Sequence, residues 1–284
     1  MSKITKLGYG IIVFDDVCHL RNMLTEVRPL CDEIVVCLQN ESYYGIPINP
    51  KVIDHVKFLV EENLVDDVIW FTPENMHEDE GTHSPRFVET DKSNFILDYL
   101  EREKGCSHSM VIDSDEFYDR EDFARAKDII DRTDKIKISY CQYINYYRDY
   151  RHLMVWPFLC YVPFITESHY RFNFKNGSFD KPSDPTRRYM ITQEGEFYSI
   201  LSFGTVKMHH LSWIRQDIRS KIDNWSSRKY FDNAVGLRER ILDRYNNYKE
   251  GQNAIIMFNT PNYEVVVNRL PKQYINPKYN LTEI

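Results

Sequence analysis

The chain has 284 residues, with 36 Lys and Arg against 43 Asp and Glu, a net charge of −7 with histidine neutral. That sign weighs against a general nucleic-acid coat or a polybasic membrane binder, both of which rely on positive charge. At 42% hydrophobic and 28% charged residues, the composition excludes a disordered chain and suffices for a core without disulfides or structural metal.

The six cysteines form no CxxC pair, and Cys18, Cys37 and Cys141 sit inside apolar runs, so they read as reduced thiols. The amino-terminal apolar run is too short for a signal peptide, and no stretch reaches the ~18 apolar residues of a membrane span. The expectation is a soluble, cytoplasmic chain.

The apolar run Tyr9–Phe14 predicts a strand that ends at Asp15 and Asp16. Leu20, Met23, Leu24, Val27 and Leu30 recur at helical spacing, and Glu33–Leu38 is a β-branched second strand. Val52, Val56, Leu59 and Val60 form a second helical stripe, and Val68–Phe71 a third strand stopped by Thr72 and Pro73. The polar stretch Glu74–Arg86 has no period and reads as a loop. Phe95, Ile96, Tyr99 and Leu100 mark a helix that Gly105 ends. Ser109–Ile112 is a fourth strand, followed at once by Asp113, Ser114 and Asp115. Asp119 is placed to cap a helix from Arg120 to about Ile130, and Ile136–Tyr140 is a fifth strand. Strands separated by single helices predict an α/β fold with a mainly parallel, doubly wound sheet.

The second half changes character. Residues 141–208 are aromatic and strand-like; Ile214, Ile218 and Ile222 predict a helix, Leu237–Tyr248 another, and Tyr263–Val267 a late strand. No linker or repeat interrupts the chain, which predicts one domain over residues 1–284 with a change of character near residue 140.

Two segments carry chemistry. In VIDSDEFYD, Asp113 and Asp115 follow an apolar strand directly, where open α/β sheets bind ligands. Two carboxylates so spaced can hold a divalent cation that bridges nucleotide phosphates; the competing reading is a solvated turn in an acidic chain. In VKMHHLSWIRQDIRSK, a strand delivers His209 and His210 ahead of a helix. Imidazole suits Mn²⁺ beside carboxylates, and Arg215 and Lys221 are placed to neutralise a diphosphate; equally, the two basic residues fit an exposed helix face.

These segments carry a resemblance. VIDSDEF resembles the (L/M)DxDE(F/I) segment of GT-A glycosyltransferases. MHHLSWIR…K resembles the His-x-Ser-Trp segment of family-2-like and β-1,4-mannosyl-glycoprotein N-acetylglucosaminyltransferase-like enzymes. ETDKSNFILDYLEREKGCSH resembles the basic-x-Asn helix and Gly turn upstream of their DxD, and the ordered match spans roughly residues 8–225. The resemblance implies a GT-A, Rossmann-like fold, with residues 1–140 as the nucleotide-sugar half and 141–284 as the acceptor-side half. It implies a nucleotide-sugar donor, UDP-sugar favoured, and a divalent metal, Mn²⁺ or Mg²⁺. It assigns Asp113, Asp115 and His210 to the metal, and Asp113 and Ser114 to the donor. Lys92 and Asn94 fall where such enzymes approach the nucleotide; Asp15, Asp16 and the turn Asn40–Ser42 fall where the base sits. The chain departs from the pattern after its first two strands, and Ser227 stands near the place of a later family His.

An inverting enzyme needs a carboxylate base, and Glu167, Asp180 and Asp184 lie in the acceptor half, where surface charge is the alternative. Arg187 and Arg188 fit an anion site or a solvated loop. Tyr143, Tyr146, Tyr147, Tyr150 and Trp156 fit an acceptor-stacking wall or a packed aromatic layer. The sequence does not name the acceptor: a glycan or similar hydroxyl compound, or a small molecule, is expected, and the alternative is a hydroxylated base of phage DNA, in a virus-encoded protein. That alternative would use a groove of Arg148, Arg151, Arg171, Lys175, Arg187, Arg188, Arg228 and Lys229. A DxD phosphatase fits poorly, since Glu116 and Phe117 follow Asp115, and a dinucleotide dehydrogenase more poorly, since FDDVCHL has no Gly-rich loop. The non-enzyme alternative is an inactive sugar-binding module.

Overall fold

A computed structural model of the chain describes residues 3–73, 85–133, 135–155, 160–175, 181–189, 198–215, 217–224, 236–258 and 260–269. Trp156, Asp180, Ser227, Arg228, Lys229 and most of the 74–86 stretch lie outside the described residues. The chain runs β1 (Leu7–Val13), α1 (Leu20–Val27), β2 (Glu33–Gln39), α2 (Pro50–Glu61), β3 (Asp67–Phe71), α3 (Pro85–Arg102) and β4 (His108–Asp113). It continues through β5 (Glu116–Phe117), α4 (Arg120–Arg132), β6 (Ile138–Tyr147), β7 (Asp149–Val155), β8 (Tyr161–Glu167), β9 (Tyr198–Ile200) and β10 (Lys207–Trp213). Helices α5 (Ile218–Asn224) and α6 (Leu237–Asn246) and strands β11 (Ala254–Phe258) and β12 (Thr260–Arg269) follow. The chain divides into two compact units, one of residues 1–143 and 159–208, the other of residues 144–158 and 209–284. Residues 159–208 therefore belong with the amino-terminal unit.

In the first unit, β1 pairs in parallel with β2 and with β4, and β2 pairs in parallel with β3. The order β4-β1-β2-β3 means the chain builds outward from β1 on one side, then returns to its other side. The fifth strand read from the sequence does not extend this parallel run. β8 takes the place beside β4, antiparallel, and β6 pairs antiparallel with β8. The result is an α/β unit with a mixed sheet whose amino-terminal strands are parallel.

Local chemistry explains the helices. Asn49 caps α2 by accepting the Lys51 N–H, with Pro50 in the first turn where no amide donor is needed. Asp119 caps α4 by accepting from the Glu121 and Asp122 amides. Helix α1 buries Leu20, Met23, Leu24 and Val27 as its spacing predicts. On α2, Val60 is exposed although it fell within the apolar stripe. Helix α3 starts at Pro85, ahead of its apolar stripe, and Gly105 at φ +65° turns the chain after its end. All six cysteines are thiols; five are buried and Cys18 is half-buried. No helix among the described residues is long and apolar enough to cross a membrane.

The packing of α3 on β1 fixes the geometry of this unit. Gly8 and Gly10 share one face of β1, and α3 rests on them through Leu100 and Ile96. A Cβ at Gly10 would lie 2.2 Å from Ile96 Cγ2. On the other face, Tyr9 packs against Phe123 of α4. Four residues of helix rise about 6 Å, and two residues of strand about 6.6 Å. The ladder Gly8–Leu100 and Gly10–Ile96 therefore carries on to Ile12 and Lys92, which sets Lys92 at the carboxyl end of β1.

The second unit has its own core of Tyr147, Met154, Trp213, Ile218, Ile222, Leu237, Ile241, Leu242, Tyr245, Ala254 and Val267. Its sheet is antiparallel: β7 pairs with the end of β6 and with β12, and β12 pairs with β11.

Gly10→Ala should cost about 1–3 kcal/mol, the range for overpacking a close-packed contact. Chemical denaturation of the variant checks this; unchanged stability would mean that α3 does not rest on β1.

Candidate active site at the carboxyl edge of β1 and β4

In an open α/β sheet, ligands bind at the carboxyl ends of strands where the strand order reverses. Here the reversal lies between β1 and β4, because β2 flanks β1 on one side and β4 returns on the other. The register aligns Ile12 with Asp113, and the Ser114 amide donates to the Ile12 carbonyl at 3.1 Å. The last residues of both strands thus end level. Val111 belongs to the core beneath α3, and strand alternation puts Asp113 on that same face.

The Asp113 side chain keeps 45% of its surface accessible. Desolvation, then the neighbouring Glu116 carboxylate and more weakly Asp115, push its carboxyl up to about 6, against the pull of Arg187 and Lys92. Asp115, two residues on, is buried, as is Ser114.

Glu116 is 1% exposed, and its Oε2 accepts the Asp113 amide at 3.1 Å. Its charge is met by Arg187, 6% exposed, whose Nη1 and Nη2 donate to the two carboxylate oxygens at 2.6 and 2.5 Å. Arg187 Nε also donates to Asp184 Oδ2 at 2.9 Å. Burial alone would raise the Asp184 carboxyl, but Arg187 and the Thr186 donors hold it below its usual value. Burial works against the Arg187 charge too, yet Glu116 and Asp184 keep it firmly protonated. Arg187 is therefore a buried structural cation rather than an open anion site, and Asp184 is its partner rather than an unengaged base.

Lys92 is 3% exposed and donates from Nζ to Gln39 Oε1 at 2.7 Å and to the Tyr43 hydroxyl at 2.9 Å. Both partners are neutral, and among the described residues no carboxylate lies within ion-pair distance of it. An ammonium has three donors, so one is left over. Desolvation lowers its pKa, countered by the more distant Glu89, Asp113 and Asp15. Lys92, Asp15 and Asp113 thus share one electrostatic neighbourhood.

The other residues singled out in the sequence fall elsewhere. Asp16 Oδ1 accepts the Cys18 amide at 2.9 Å and shapes the turn before α1. Asn94 is engaged at both ends, donating to the Phe172 carbonyl and accepting from its amide, so it clasps α3 to that segment. Glu167 pairs with His108, the first residue of β4, about 17 Å along the strand from Asp113. That distance removes Glu167 from the Asp113 site.

In the second unit, His210 Nδ1 meets Asn145 Oδ1 at 2.5 Å. An amide oxygen only accepts, so Nδ1 is the donor in that contact. His209 is more buried, stacked on Tyr146 and bonded to its hydroxyl at 2.8 Å. Lys221 bonds to Ser212 and lies 6.0 Å from the Trp213 ring centre, and Arg215 is half-buried beside them in sequence. Tyr146 and Tyr147 are buried in packed aromatic layers, so neither is part of an open stacking wall.

Several residues of the site escaped the sequence reading: Glu116 and Arg187 as one ion pair, and Gln39 and Tyr43 as the seat of Lys92. The only signal for the first was a Glu directly after the DxD.

Among the described residues, no three His, Cys, Asp or Glu side chains form a group that could hold a metal ion by themselves. Asp113 and Asp115 nevertheless fit a Mg²⁺- or Mn²⁺-type ion that takes one or two carboxylates and completes its shell with water and phosphate. Burial first, and the Glu116 and Asp115 carboxylates after it, raise the Asp113 carboxyl.

Because the native state holds the Asp113 proton up to about pH 6, against about 3.8 when unfolded, its charge opposes folding progressively as pH rises through that window. Asp113→Asn should raise the Tm at pH 7 and lose that advantage towards pH 4. A Tm difference that is flat from pH 4 to 7 would contradict the assignment. No protein-family model matches this chain, and no curated protein matches it in sequence.

Proposed function

We propose that the chain transfers a glycosyl group from a nucleotide-diphosphate sugar, a UDP-sugar favoured, to a hydroxyl acceptor. The observation that carries this reading is that the Asp113–Asp115 carboxylates stand at the strand-order reversal in the electrostatic neighbourhood of a buried Lys92, whose described partners, Gln39 and Tyr43, use two of its three donors.

In this reading Lys92 donates to a phosphate oxygen, and its burial strengthens that contact by excluding water. Asp15 and the Asn40–Ser42 turn border the nucleoside side. Asp113 and Asp115 hold the divalent ion, which when bound offsets the charge of the departing diphosphate. The bond from the anomeric carbon to the diphosphate oxygen breaks as the acceptor oxygen attacks, and the acceptor proton leaves to a base. Asp184 and Glu167 are poor candidates for that base, the first held by Arg187 and the second at the far end of β4. The alternative DNA acceptor has less support, because four cations of its expected groove are engaged within the protein. Arg171 pairs with Asp98 and Glu101, Arg187 with Glu116, and Arg151 with Asp149, while Arg148 bonds to backbone carbonyls near Tyr245.

The test is a thermal-shift panel of UDP-, GDP-, CMP- and dTDP-sugars with and without Mn²⁺. A ligand at 100 times its Kd stabilises by about 2.7 kcal/mol. One nucleotide should stabilise the protein only with metal, and Asp115→Ala should abolish the shift. Stabilisation by free sugars alone would point to a binding module, and no shift with any donor would overturn the reading.

Lys92→Met should weaken UDP binding roughly 10- to 100-fold, the worth of one hydrogen bond to a charged group. Calorimetric titration measures this, with the unliganded Tm as the fold control; unchanged affinity would remove Lys92 from the site.

A further inference from the structure

The short segment from Asp184 to Arg187 links two parts of the site that are remote in sequence. At one end, the Thr186 carbonyl accepts from the Thr90 hydroxyl at 2.9 Å, a buried bond to α3 two residues before Lys92. At the other, Arg187 grips Glu116 with both Nη atoms, and Nη1 also reaches the Val111 carbonyl at 3.5 Å. Glu116 in turn accepts the Asp113 amide at 3.1 Å. Asp184 holds Arg187 Nε from behind and is itself fixed by the Thr186 amide and hydroxyl. The nearest approach of Arg187 to Asp113 is 3.9 Å from Nη2 to Oδ2, outside hydrogen-bond reach.

We propose that Arg187 is a positioning residue: through Glu116 it presets the backbone turn that presents Asp113 and Asp115, and through Thr186 it ties that turn to the helix of Lys92. It acts on no ligand directly. The planar guanidinium suits this task, because a two-point grip fixes orientation as well as distance, which a lysine ammonium cannot do. Net stability is a weaker reason for such a pair, since a buried ion pair often contributes no more than well-packed apolar residues of the same volume. The consequence for ligand binding rests on the reading of Asp113 and Asp115 as ligand-facing; the positioning itself does not.

The experiment compares Arg187→Lys and Glu116→Gln with the wild type, and uses Gly10→Ala as a control for general destabilisation. Amide hydrogen exchange is followed at residues 111–116 and across β1 and β2. In at least one of the two site variants, exchange at 111–116 should accelerate tenfold or more beyond the change in β1 and β2. In Gly10→Ala the two regions should change together. The same proteins are then titrated with UDP and Mn²⁺, and Arg187→Lys should bind at least tenfold more weakly. Exchange at 111–116 that follows β1 and β2 in both site variants would overturn the proposal and leave Arg187 a general structural residue. If the wild type binds no UDP with Mn²⁺, the donor reading fails while the exchange comparison still decides the positioning.

Discussion

Helix α3 can lie on β1 only because residues 8 and 10 carry no side chains. The close approach converts two periodicities into one alignment, since a helical turn and a pair of strand residues advance by nearly the same distance. Once Ile96 sits on Gly10, the residue one turn earlier must lie over the end of the strand, and that residue is Lys92. Thr90 follows from the same seating and meets the Thr186 carbonyl. The chemistry of the carboxyl edge is thus set first by a steric fact about two glycines, and only then by charge.

Charge does the rest. Two fully buried cations, Lys92 and Arg187, stand among Asp15, Asp113, Asp115, Glu116 and Asp184, but they are handled differently. Arg187 is neutralised by Glu116 and Asp184 at hydrogen-bond distance. Lys92 is held by an amide oxygen and a phenol. Burying a charge without a paired counter-ion is costly, which sets Lys92 apart from Arg187. At the same edge burial, and after it the Glu116 carboxylate, raise the Asp113 carboxyl. The proposed metal-bridged phosphate ligand rests on this contrast between the two cations.

Much of the architecture was legible in the sequence. The four parallel strands stand within a residue or two of the apolar runs that predicted them, and the Asp119 cap is where its residue type placed it. Short buried strands between amphipathic helices leave little choice of assignment. Helix α3 was harder, because it buries Thr90, Lys92 and Ser93 along with its apolar residues while Phe95 stays exposed. Thr90 and Lys92 bond to other segments and Ser93 to the Glu89 carbonyl of its own helix, so the pattern departs from that of a helix with a purely apolar inner face. The Glu116–Arg187 pair was not legible beyond the presence of a Glu after the DxD: the partners are 71 positions apart, and nothing about either residue names the other. Pairing of β8 with β4 escaped for the same reason, as strand order across a sheet depends on contacts that local pattern does not encode.

That separation has a consequence for how the molecule is made. A ribosome delivers β1 to α4 long before residues 184–187, so a growing chain can pair its parallel strands while Glu116 still lacks its cation. Until Arg187 emerges, burying the Glu116 carboxylate is costly, because its counter-ion is not yet present. The turn that bears Asp113 and Asp115 thus gains its Arg187 anchor only after 71 further residues have been added to the chain.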